Sequence, residues 1–126
     1  MNILVVTNQY IDIRKDGCYC DFPLHGTLEN MSVLGELHLV ASFSYSDEMA
    51  SIMYLNQKID FVDLEHVKHL RPTNKSIGGW LKNSIYNRKL LERLVPSMDL
   101  VVGYMPSGDA DTAMRIARRH EIPFLS

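Results

Sequence analysis

The 126 residues include only two cysteines, one tryptophan and no excess of positive charge, the formal net charge being −2. Cys18 and Cys20 are separated by one residue, so a disulfide between them would be badly strained and both are expected as free thiols in a reducing compartment. Two ligands at this spacing with no second pair do not make a zinc site, and no metal is expected. The acidic balance argues against a general nucleic-acid binder, which would carry a strong basic excess. No apolar run approaches the ~20 residues of a membrane-spanning helix. No basic segment precedes an apolar run, so no secretory signal is expected. The glycines form neither G-x-x-x-x-G-K-[ST] nor G-x-G-x-x-G, which removes the P-loop and the usual dinucleotide fingerprint. The turn Thr7-Asn8-Gln9 lacks the acidic pair of a phospho-acceptor receiver and the Ser/Thr-Gly run of a flavodoxin. No Ser/His/Asp or Cys/His arrangement can be assembled, and His66 and His69 have no third ligand near them in sequence.

What is present is an alternation of short apolar strands and amphipathic helices, within the length of one domain. Asn2–Thr7 reads as a central strand covered on both faces. Asn8 to Asp21 reads as a loop of unusual length, since such connections usually take about 2–6 residues. A helix is predicted over Phe22–Leu34 with Gly35 as its C-cap, followed by a strand over Leu37–Phe43. Ser46-Asp47-Glu48 can cap a short helix through Met53. A third strand is expected at Ile59–Asp63, then a basic loop over His66–Ser76. A long helix follows, from Gly78 or Gly79 to about Val95, where Pro96 stops it. Asp99–Tyr104 and Ile122–Leu125 read as strands flanking a helix opened by Ser107-Gly108-Asp109. The expected fold is α/β: a three-layer, Rossmann-like domain over residues 1–126, its mostly parallel sheet of about five strands in the order 3-2-1-4-5.

In such a sheet, ligands bind beyond the carboxyl ends of strands where the order reverses. The loops after the first strand and after Asp99–Tyr104 then share a crevice, which makes Asn8, Arg14, Lys15, Asp16, Gly17, Tyr104 and Ser107 the candidate substrate-binding residues. Gly17 offers a positive φ or a close backbone approach. Ser107 caps its helix, and the free N–H groups there suit an anion, although Asp109 and Asp111 oppose one. Lys82, Lys89 and Arg93 project from one side of the long helix, with Arg71 and Lys75 upstream. At about 1 kcal/mol for each cation near an anionic leaflet, they suggest a membrane-facing side.

Four stretches carry a family resemblance: Ile3-Leu4-Val5-Val6-Thr7, Gly17 after a long loop, Leu34-Gly35-Glu36-Leu37-His38-Leu39-Val40, and Met98-Asp99-Leu100-Val101-Val102. In order and spacing they resemble the N-terminal domain of a GT-B glycosyltransferase of the family 4, glycogen-synthase-like type. Ala110–His120 followed by Ile122-Pro123-Phe124 is similar to the family's continuation. The chain departs from the pattern in having one glycine at Gly17 where the family has two, and Glu36 where the family has histidine after glycine. The resemblance implies half of a GT-B fold in a longer enzyme, while the free thiols and the basic side of the long helix put the expected location in the cytoplasm, at the inner face of a membrane. That enzyme moves a sugar, with retention, from a nucleotide-sugar to a glycan or lipid-linked acceptor. This half supplies the acceptor side of the interdomain cleft, while a C-terminal domain holds the donor and its E-x(7)-E carboxylates. The resemblance leaves the catalytic residue unassigned, calls for no cofactor or nucleic acid, and implies that the 126 residues alone are inactive. A non-catalytic flavodoxin-like module and a GT-B nucleotide-sugar epimerase half are the alternatives.

Overall fold

The structure, a computed structural model, describes residues 1–45, 54–71 and 77–126. The first strand, β1, is Asn2–Arg14, twice the expected length. β2 (Gly17–Cys20), α1 (Phe22–Ser32) and β3 (Glu36–Tyr45) follow, then the short β4 (Gln57–Ile59) and β5 (Val67–His69). The remaining elements are α2 (Ile77–Leu94), β6 (Leu100–Gly103), α3 (Gly108–Arg119) and β7 (Phe124–Leu125).

The expected five-strand, Rossmann-like sheet of GT-B type is corrected by the strand pairing. Among the described residues the sheet has seven strands and is mixed. β1 pairs in parallel with β3 and β6, β3 with β5, and β6 with β7. β2 runs antiparallel to β1, and β4 runs antiparallel to β2. The stretch expected as a long loop is therefore the second half of β1 plus a tight hairpin, in which Arg14 faces Gly17 across Lys15-Asp16. Gly17 has φ +143°, a backbone conformation available to glycine and strained for other residues. The expected strand at Ile59–Asp63 is β4, which ends at Ile59 and sits outside the parallel set. β5 occupies the first part of the expected basic loop. The expected helix through Met53 and the cation Lys75 lie outside the described residues.

Burial follows the pleat of β1. Leu4 and Val6 face a core built with α2 and α3, where Leu91, Val95, Ala113 and Ile116 are buried. Ile3 and Val5 face a second core with Leu24 and Leu28 of α1. Cys18 and Cys20, unpaired, fill the second core from alternate positions of β2. Burial pushes both thiols up, that of Cys20 to about 12. Gly35 is not the C-cap of α1, a place taken by Val33. A Cβ on Gly35 would strike the carbonyl of Met1, whose oxygen accepts the Glu36 N–H where β1 and β3 begin to pair.

Candidate functional site

The pairing of β1 with β3 shifts register between Val6 and Tyr10, where four residue steps on β1 answer two on β3. The irregularity begins where β6 leaves β1, the Tyr104 N–H bonding to the Val6 carbonyl at 2.9 Å. Bulges of this kind turn side chains toward functional sites. Here the irregular stretch forms the floor of a cleft of about 540 Å³ beside the middle of β1, past the carboxyl ends of β5 and β6. Thr7, Asn8 and Tyr10 come from β1, Ser42 from β3, and Leu70 and Arg71 follow β5. Trp80, Asn83, Ser84 and Asn87 form the α2 wall, and Ser107, Gly108, Asp109 and Thr112 the α3 wall.

Several of these groups are already anchored. The Thr7 hydroxyl accepts the Gln9 N–H at 3.1 Å, and Ser42 donates to the Leu70 carbonyl at 3.0 Å. Asn87, almost fully buried, accepts the Arg71 N–H and donates to the Arg71 carbonyl, both at 2.8 Å. This pair of hydrogen bonds ties the exit of β5 to α2, and the Arg71 guanidinium stacks over Tyr86 at 3.9 Å. Ser107 caps α3 by accepting the Ala110 N–H at 3.3 Å. Asp109 meets Asn87 Nδ2 at 3.5 Å. Burial raises its carboxyl above the usual carboxylate range, and the Asn87 contact only partly offsets this. The cleft is thus lined by hydroxyls and amides, one acid, one base and one indole.

Of the candidate substrate-binding residues, Asn8 and Ser107 line this cleft, and so do Asp109 and Arg71, the latter expected on the membrane-facing side. Arg14, Lys15, Asp16 and Gly17 lie at the β1–β2 hairpin. Arg14 donates from Nε to Asp12 and from Nη2 to the Leu55 carbonyl, both at 2.7 Å, and its guanidinium lies 4.0 Å from the Tyr19 ring centroid. Asp16 accepts from the Tyr19 hydroxyl at 2.7 Å, a bond that holds its carboxyl below the ordinary value. Tyr104 packs on the opposite face of the sheet, against the α1 core. Lys82, Lys89 and Arg93 are exposed on α2. Among the described residues no group of three His, Cys, Asp or Glu side chains is placed to hold a metal ion. No helix among them is long and apolar enough to cross a membrane.

The α2 wall was missed, although its signal is present. Trp80, Asn83, Ser84 and Asn87 recur at i, i+3, i+4 and i+7, a stripe of one indole and three uncharged polar groups on one helical face.

No family model matches the chain, and no curated protein does. Among solved structures, two crystal structures of the C-terminal domain of the PF1911 hydrogenase from Pyrococcus furiosus are similar, one of residues 78–226 and one of residues 83–215. Each has a TM-score of 0.52 and covers 98% of this chain and 88% of the other, at 12% and 13% identity. The likeness is one of fold.

Proposed function

We propose that this chain is the acceptor-side domain of a glycosyltransferase that takes a sugar from a nucleotide-sugar and delivers it to a glycan or lipid-linked acceptor. The observation that carries the reading is the cleft at the register shift of β1 and β3, lined by Asn8 and by the opening of α3. Hydroxyls and amides that line one cleft with two aromatic rings suit a polyhydroxylated ligand: the Asn8 amide and the Asp109 carboxylate bond hydroxyls, and the Trp80 indole covers an apolar face. Three of the sequence stretches, Ile3–Thr7, Leu34–Val40 and Met98–Val102, stand in family order and support the same reading. The donor nucleotide belongs to the complementary domain of such an enzyme, and the reaction runs in the cytoplasm at the inner face of the membrane.

The test is nucleoside diphosphate release by the intact gene product from a panel of nucleotide-sugars, with glycan and lipid-linked acceptors. Turnover is expected, with Asn8→Ala and Asp109→Asn raising the acceptor KM about tenfold, the loss of one good hydrogen bond, while the donor KM stays unchanged. The 126-residue chain alone is expected to show none. Absence of release with every donor, or turnover by the 126 residues alone, overturns the reading.

A further inference from the structure

The outward side of α2 is built the wrong way round for a helix facing only water. Leu90 and Leu91 are buried against the sheet, yet Ile77, Leu81 and Ile85 recur every fourth residue on the outer side, 87%, 52% and 47% exposed. Beside them Trp80, itself half exposed, leans over a groove of about 920 Å³ between α2 and α3, lined also by Arg88, Arg115, Ile116, Arg118 and Arg119. Arg88 is paired with Glu92 at 3.1 Å and Arg115 with Asp111 at 3.0 Å. Lys82, Lys89, Arg93, Arg118 and Arg119 have no acidic partner among the described residues. A chain whose net charge is −2 therefore gathers seven basic groups against two acidic ones around a single apolar ridge.

We infer that this α2–α3 face docks on an anionic lipid surface, with Ile77, Leu81 and Ile85 entering the headgroup–acyl boundary and the groove arginines taking lipid phosphates. The surface deepens the membrane placement given under the proposed function, and its test reads lipid binding independently of sugar transfer. Charge complementarity selects the occupant. A second copy would bring the same cationic face against itself across a two-fold axis, which repels. A soluble acidic polypeptide would satisfy the cations and leave the projecting ridge of branched aliphatic side chains in water. A leaflet meets both requirements, since apolar side chains and basic flanks are the pattern of helices lying in the interface. Arginine forks match phosphate oxygens, and tryptophan settles at headgroup depth.

The test is co-sedimentation of the 126-residue chain with vesicles of equal parts phosphatidylcholine and phosphatidylglycerol, with the emission of its one tryptophan followed in parallel. Binding with a blue shift of Trp80 is expected. It is lost as salt rises from about 0.05 to about 0.5 M, where the screening length shrinks to a few ångström, and it is absent on pure phosphatidylcholine. Arg118→Gln with Arg119→Gln is expected to weaken binding about 25-fold, about fivefold per cation, and Arg118→Lys with Arg119→Lys to retain most of it. Leu81→Ser with Ile85→Ser is expected to weaken binding at least about tenfold by removing the buried apolar area, with the far-ultraviolet circular dichroism unchanged. Equal binding to neutral vesicles, no binding, indifference to both pairs of substitutions, equal capture by polyglutamate, or dimerisation abolished by Leu81→Ser overturns the inference.

Discussion

His69 accepts the Phe43 N–H at its Nδ1, 3.1 Å away, and can do so only as a neutral ring. Burial lowers its pKa from 6.5, and the charge of Arg71 adds to the effect. His38, stacked on His66 with ring centroids 4.0 Å apart, is lowered first by burial and then by that neighbour. In both cases the unfolded chain takes up a proton that the folded one resists, so stability is complete above 6.5 and falls as pH drops below it. Thermal melts are expected to show a lower Tm at about pH 5.5 than at about pH 7.5, with a smaller drop in His69→Gln. Neither histidine stood out in the sequence for this role, because one accepted backbone bond depends on which strand lies alongside.

At the scale of elements, the β1–β2 hairpin is the main departure from expectation. Its signal was legible in Lys15-Asp16, the polar dipeptide of the turn, closed by Gly17 at positive φ, and in the alternation of Cys18 and Cys20 around Tyr19. Charged residues around that dipeptide argued for a loop. They are accommodated because Asp12, fully buried, accepts from Arg14 Nε at 2.7 Å and from the Ser44 hydroxyl at 2.8 Å. Asp12→Ala strips both donors of their acceptor and is expected to cost about 3 kcal/mol in urea denaturation. Replacing Asp12, Arg14 and Ser44 together by apolar residues of similar volume is expected to cost far less, because no uncompensated charge remains. The same network occupies Arg14, a commitment that no reading of its neighbours in sequence reveals.

At the scale of the molecule, the described residues form two cores separated by the sheet, one under α2 and α3 and the other under α1. Leu91→Ala on one face and Leu28→Ala on the other are each expected to cost about 2–5 kcal/mol. Having no shared neighbours, their effects should sum within about 0.5 kcal/mol in the double variant. A larger discrepancy in denaturant titrations would show that the sheet transmits strain between them.

Local chemistry by itself determined where most strands and helices lie, because the apolar run Ile3–Val6 and the stripe Ala110, Ala113 and Ala117 state their own periodicity. It also named Asn8, which lies at the register shift inside β1, and Ser107, which opens α3. Tertiary structure alone decided the mixed pairing of the sheet, the commitment of Arg14 to Asp12, and the joining of the α2 stripe to the α3 opening across one cleft. Those outcomes depend on which distant backbone edges meet, and pairing energy is spread over contacts that no single stretch of sequence contains.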